Sequence, residues 1–468
     1  MNNLGINRVF GNISFWIGIF FFVHLIGIWY PPIEAAHSWR QATGLMVARN
    51  YFENNTSFFF PMVDETNGGS GIIGMEFPIL YYMQGKLGMI FGFHAGIGRL
   101  INVLISSIGL GYFYALLLRF IPRKASFYAT LLLGVSCFFM YSRKVMPDTA
   151  AMAVYIIGVF YFFEALQWGR WKDTIWSLLF MALGFLLKIS VVPWISITFF
   201  AYFYFRNKPK KAWILFLPLI SLLPAVCWYF IWNPYLALHY GNWYNLGGSF
   251  LQGADAFFHE PKTLLHHLSF HPFFSYLAFF LCCYGIWRLF RTELDISVKI
   301  TIPIFLLVFL AYALKSGKIF LSHEYYIIPF VPLMAVLGGI TLANFRNYAW
   351  LLMLLIAIEA IANQGYDFKY NHKEAYKLKL SALANRFIPQ KALVVINGNS
   401  NPQELYFLHR KGWNIHTNQL SNSFLGSIKQ YGAAYLIINK HSAEDRLKIK
   451  MLNAKLLMQN ADYLLFRL

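Results

Sequence analysis

Three carboxylates, Glu34, Asp64 and Glu76, fall in one early polar loop at residues 31–96. A carboxylate held beside an apolar belt is suited to act as a general base toward a hydroxyl. The competing role for each is structural, as a helix cap or a partner of Arg40 or Arg49. Further along, Arg143, Lys144 and Asp148 share a short turn, which can hold an anionic headgroup or anchor helix ends by snorkelling. Lys188 stands where an apolar run ends, with Pro193 close behind, and a lysine at that depth suits phosphate as a point charge. Lys315, Lys318, His323, Glu324, Tyr325 and Tyr326 form a third group. Its cations can clamp a phosphate or diphosphate while the tyrosines anchor at the interface. Residues 239–244 place His239, Tyr240, Asn242, Trp243 and Tyr244 together, a pattern that suits a sugar ring or an aromatic belt. His267 and His271 have the spacing of two ligands on one helix face, with His259 and His266 nearby. No acid falls at a zinc-motif position, so they read as polar loop histidines and no metal site is assigned.

These groups need elements to hold them, and the composition says which. Apolar residues make up 58% of the chain and charged residues only 13%, with a mean hydropathy of +0.49. A soluble domain is about a quarter charged, so the chain belongs with membrane proteins. The net charge of +19 sits in short loops between apolar runs, as orientation signals do, which argues against nucleic acid as a partner. Cys137, Cys227, Cys282 and Cys283 all lie in apolar segments and read as small hydrophobes. With about 20 apolar residues per crossing, roughly eleven spans are predicted. They lie near 11–30, 97–119, 124–142, 149–167, 173–187, 190–205, 212–232, 272–290, 298–314, 326–345 and 348–363. The first run ends in Tyr30, Pro31 and Pro32 and reads as a span, with no cleavable leader evident.

Basic loops alternate. Arg119, Arg123 and Lys124, then Arg170 and Lys172, then Arg206, Lys208, Lys210 and Lys211, then Arg288 and Arg291, then Arg346, all fall on one side if the N-terminus is cytoplasmic. The loop at 31–96, the turn at 143–148, the loops at 233–271 and 315–325, and the C-terminal segment then face outward. Within the first loop, residues 38–53 and 77–92 carry apolar groups at helical spacing, predicting helices in the interface plane. Residues 364–468 are polar, with strand-like runs at 392–396 and 434–438 and a helix-like stretch at 402–409, predicting a small α/β domain. The expected organisation is thus a transmembrane domain at 1–363 and an extracytoplasmic domain at 364–468. Glu164, Lys188 and Glu359 lie toward span ends and no internal repeat is evident, which disfavours a transporter or flippase. A non-catalytic glycan-binding assembly protein is the third reading.

In order and spacing these motifs resemble the GT-C superfamily of membrane glycosyltransferases, in the branch of protein O-mannosyltransferases and the lipid A aminoarabinose transferase. The carriers are Glu34 with His37, Ser38, Trp39, Arg40 and Gln41; Glu76, Phe77, Pro78 and Tyr81; Arg143 with Met146, Pro147 and Asp148; Lys188; and His323 to Tyr326 with Pro329 and Pro332, over roughly residues 8–345. The resemblance implies a polyprenyl-phosphate sugar as donor and transfer with inversion at the outer face. The acceptor would be a lipid, a glycan or a protein, and the setting a bacterial inner membrane. It also implies that the acid just beyond the first span is the base. That position is Glu34, a glutamate where the family usually has aspartate, flanked by Ala35 and Ala36; Glu76 and Asp64 stay candidates. Cations must also stabilise the departing lipid phosphate, and Lys188, Arg143, Lys318 and His323, with Tyr325, are the candidates for that task. His37, Trp39, Arg40, Glu324 and Trp243 position substrate, and Asp148 either orients the cations or binds a divalent metal ion. A nucleotide-sugar donor would require a cytoplasmic phosphate-binding domain, and the cytoplasmic loops are too short to form one.

Overall fold

The protein is described by a computed structural model covering residues 11–34, 36–205, 211–241, 247–291, 295–345, 347–442 and 454–468. Of the residues read from sequence, Trp243, Asn242, Tyr244, Ala35, Arg206, Lys208, Lys210 and Arg346 lie outside them. The chain forms two compact units. One comprises 1–28, 99–231 and 245–366; the other comprises 29–98, 232–244 and 367–468.

The first unit is helical because its apolar runs leave their backbone no partner in lipid other than itself. Among the described residues, six helices in the chain are long and apolar enough to cross a bilayer. The number becomes seven if Arg123–Gly134 and Cys137–Arg143, bent by 49° to one another, are one span. Ile13–His24, Ile189–Phe205 and Tyr276–Leu289 are shorter apolar helices. Ile13–His24 covers only part of the predicted 11–30 span, since Leu25–Tyr30 turn and Gly27 adopts φ 69°. The predicted pair at 173–205 is a helix Trp171–Leu187, an extended Lys188 at φ −158°, and a 3-10 turn Ile189–Ser196. A helix Ile197–Phe205 follows. Pro193 lies inside the 3-10 segment, where a missing N–H is better tolerated than in an α-helix. The run at 212–240 is similarly broken at Pro218, Pro224 and Pro234 into short α, 3-10 and π turns.

The second unit joins the early loop to the C-terminal segment. Helices Ser38–Glu53 and Ile79–Phe91 appear where helical spacing placed them. They approach closely at two glycines. A Cβ on Gly44 would stand 2.5 Å from the Tyr81 ring, and one on Gly85 would stand 2.7 Å from the Ala48 carbonyl. The sheet has five strands, β1 Leu393–Ile396, β2 Gly412–Asn414, β3 Ala433–Asn439, β4 Lys455–Gln459 and β5 Tyr463–Arg467, in the order β2-β1-β3-β5-β4. β1 is parallel to β2 and β3, while β5 runs antiparallel to β3 and β4. The runs read at 392–396 and 434–438 became β1 and β3, and Gln403–Leu408 is the helix read at 402–409. The early loop extends this sheet: Glu65 bridges Gly412 in parallel, Gly412 N–H donates to the Asp64 carbonyl, and Thr66 N–H donates to the Gly412 carbonyl. The two sheet faces carry separate apolar cores, one built on Leu380, Leu405 and Tyr463, the other on Trp413, Leu425 and Phe466.

Candidate active site

Within the second unit the three candidate acids occupy three different settings. Glu34 lies in an isolated antiparallel bridge with Tyr370, and the neighbouring Asn371 N–H donates to the Ile33 carbonyl, so the C-terminal segment fixes its backbone. Gln41 Nε2 donates to Glu34 Oε2 at 2.9 Å. Gln41 sits in the first turn of Ser38–Glu53, which starts from His37 in the left-handed region at φ 52°. Trp39 is exposed on that turn, whereas Arg40 is buried. Arg40 pairs with Glu76, and Tyr81 Oη donates to the same Glu76 oxygen, Oε1, at 2.7 Å. The approach at Gly44 sets the Tyr81 ring in place. Asp64 is engaged at both oxygens, Oδ2 by Arg49 and Oδ1 by Asn50 Nδ2 at 3.0 Å. Asp64 and Glu76 therefore take the arginine-paired arrangement that was the structural alternative for each acid.

Within the first unit several of the expected cations and their partners do come together. Lys188, the residue capping Trp171–Leu187, places Nζ 3.5 Å from Asp148 Oδ1 and 5.9 Å from the Tyr325 ring. His323 stacks on Tyr325 at 5.3 Å, and Tyr141 meets the same ring edge-on at 5.7 Å. Glu324 Oε2 accepts from Tyr141 Oη at 3.0 Å and from Tyr366 Oη at 3.3 Å, while His271 Nε2 lies 3.8 Å from its other oxygen. Arg143 is fully buried and donates to the Ile26 carbonyl at 2.6 Å. The 143–148 turn is clamped by Asn102, whose Nδ2 donates to the carbonyls of Lys144 and Met146, both at 2.9 Å. Thr149 Oγ1 donates back to Asn102 Oδ1 at 3.0 Å. Lys318 is exposed on a five-residue helix, and none of the described contacts ties it to the Lys188 cluster.

His267 and His271 face each other, Nδ1 to Nδ1 at 3.0 Å. Burial first, then neighbouring histidines, lowers His267 to about 3 and His271 to about 4, so both are neutral at ordinary pH. Among the described residues no group of three or more His, Cys, Asp or Glu side chains is arranged to hold a metal ion.

Asn102, Tyr141 and Tyr366 were not read from the sequence as site residues. Asn102 had a visible signal, an amide inside an apolar run; Tyr141 and Tyr366 had none among 29 tyrosines. The first unit also encloses an apolar cavity of about 390 Å³, walled by Phe113, Phe120, Trp194, Ile197, Phe305 and Leu337 among others. Trp194 links this cavity to the segment carrying Tyr325, because its Nε1 donates to the Pro329 carbonyl at 2.7 Å.

Residues 76–232 match the family model described as dolichyl-phosphate-mannose-protein mannosyltransferase. No curated protein matches the chain. Among solved structures, the fold is similar to ArnT from Cupriavidus metallidurans in the apo state, with a TM-score of 0.65, 10% identity and 97% of each chain covered. It is also similar to the same protein bound to undecaprenyl phosphate, with a TM-score of 0.62, 10% identity and coverage of 97% and 98%. A third is the Archaeoglobus fulgidus oligosaccharyltransferase, with a TM-score of 0.57, 13% identity, and 90% of this chain and 67% of that chain covered. Over nearly its whole length the chain thus has a fold similar to that of ArnT, and residues 76–232 match the dolichyl-phosphate-mannose-protein mannosyltransferase model.

Proposed function

We propose that this protein moves a sugar from a polyprenyl-phosphate donor to a hydroxyl of an envelope acceptor at the outer face of a bacterial inner membrane. The observation that carries the reading is in the first unit. A buried lysine, Lys188, adjoins Asp148 and the Tyr325 ring, and Trp194 connects that neighbourhood to an apolar cavity. A cation beside an apolar chamber is what a phosphate carrying a long hydrocarbon tail requires. Undecaprenyl phosphate, bound in the ArnT structure, has that chemistry.

The chemistry assigned to these groups is direct displacement. The acceptor oxygen attacks the anomeric carbon, its proton passes to a carboxylate, and the bond to phosphate oxygen breaks with inversion. Glu34 is the base, oriented by Gln41; Asp64 positions Arg49 and Asn50; and Glu76 holds Arg40 for substrate. Lys188, with Tyr325 near it, His323 stacked on that ring and Asp148 orienting it, stabilises charge as polyprenyl phosphate departs. Arg143 and Glu324 fix the surrounding turns, His37 and Trp39 shape the entrance to Ser38–Glu53, and Lys318 offers an outer charge for an arriving phosphate.

The chain crosses the membrane about eleven times with its N-terminus cytoplasmic, as the basic loops at 119–124, 170–172 and 288 indicate. A structure of the protein with polyprenyl phosphate tests the donor assignment. The expected result is phosphate density within hydrogen-bond reach of Lys188 Nζ, and density remote from Lys188 overturns it.

A further inference from the structure

The second unit contains a cleft of about 230 Å³ to which the roles given above assign no ligand. It is formed where the early loop meets the C-terminal segment, lined by Arg49, Phe93, His94, Ser381, Tyr406 and His409 among others. The space is smaller than the roughly 300–1,000 Å³ of a drug-sized site, so it suits one ring. Its walls are aromatic and rigidly backed. Phe93 stacks on Phe52 at 5.5 Å, His94 packs on Trp29 at 5.1 Å, and Tyr406 is covered on one side by the Arg49 guanidinium at 4.7 Å from its centroid.

The charges at this cleft are already matched. Arg49 pairs with Asp64 and also donates to the Tyr406 carbonyl at 2.9 Å, while His409 Nε2 lies 3.0 Å from Glu53 Oε2. Burial pushes the Glu53 carboxyl up, but its hydrogen bond to His409 and the nearby cations outweigh this and hold it below its ordinary value. A cleft with balanced charge, aromatic faces and hydroxyl and imidazole edges disfavours a phosphate and fits an uncharged amphipathic ring.

We propose that this cleft binds a neutral pyranose ring, stacked by its C–H face on the aromatic walls and hydrogen-bonded at its rim by Ser381. The occupant is a sugar unit of the acceptor glycan or of the lipid-linked donor. The sugar class rests on the glycosyltransferase reading, but binding is measured without any transfer.

The test uses the full-length protein in nanodiscs and saturation-transfer NMR with the methyl α-pyranosides of glucose, galactose and mannose. At least one should show saturable transfer. Ser381→Trp, which fills the cleft, should weaken it by at least about tenfold, equivalent to ~1.4 kcal/mol. Ser381→Ala, which cannot disturb packing, should weaken it less. Lys188→Met and Glu34→Gln should leave it unchanged, so loss of transfer in those variants does not bear on the cleft. Displacement by added polyprenyl-phosphate hexose identifies the donor sugar as occupant, and its failure identifies an acceptor sugar; both support a pyranose site. Absence of transfer from all three pyranosides, or transfer undiminished in both Ser381 variants, overturns the proposal.

Discussion

At the scale of the residue, the three acids of the early loop are chemically distinct although the sequence presents them alike. Asp64 has both oxygens occupied, one by a buried arginine. Removing the charge strands Arg49, and breaking a buried pair costs about 3–5 kcal/mol. Asp64→Asn should therefore lower the thermal midpoint in detergent, while the transfer rate of the folded fraction falls far less than in Glu34→Gln. Glu34→Gln should do the reverse, leaving the midpoint in place and lowering kcat by about 10²–10⁴, the range of a general base. Lys188→Met should lower kcat/KM by about 10²–10³ if it faces charge developing on the leaving phosphate. The sequence showed that these side chains were unusual, but not which one meets which. Pairings such as Arg40 with Glu76 and Asp148 with Lys188 join residues 36 and 40 positions apart, and spacing carries no record of them.

His267 and His271 make a pH prediction whose sign follows from burial. Both are lowered in the folded protein, to about 3 and about 4, while the unfolded chain takes up protons near 6.5. The unfolded state thus binds more protons between those values, so stability is present above pH 6.5 and is lost as pH falls toward 4. Thermal unfolding at pH 7 and pH 5 should show a drop in midpoint, and His271→Asn should shrink it.

At the scale of the element, helices were more legible than strands. The apolar runs announced most helices of the first unit, and helical spacing in 38–53 and 77–92 announced two in the second. The breaks were less visible, because proline at 193, 218 and 224 marks an irregularity without saying which turn replaces the α-helix. β1 and β3 were legible as runs of branched apolar residues. β2 was not, having three residues and a glycine; β4 and β5 carry few β-branched side chains, and β4 is mostly exposed. Packing between Ser38–Glu53 and Ile79–Phe91 depends on Gly44, so Gly44→Val should force Tyr81 off Glu76. Overpacking of that kind costs about 1–3 kcal/mol, readable as a lowered thermal midpoint. Gly111, where an added Cβ would meet nothing within 4 Å, is the control, and Gly111→Ala should be neutral or slightly stabilising.

At the scale of the whole molecule, composition and charge pattern were enough to read a polytopic membrane protein. The resemblance carried by scattered motifs agrees with the similarity of fold to ArnT over nearly the full length. The division into units was not legible. Residues 29–98 and 367–468 share a unit through contacts such as Glu65 with Gly412, which are hundreds of positions apart. Sugar transfer from a lipid-linked donor is measured most directly by a transfer assay in nanodiscs. Purified protein, polyprenyl-phosphate sugar and envelope acceptor extract are combined, and released polyprenyl phosphate is followed together with labelled acceptor. The expected result is stoichiometric release and labelling, abolished in Glu34→Gln and Lys188→Met. No release with the natural chain, or full release in both variants, would rule out sugar transfer by this site.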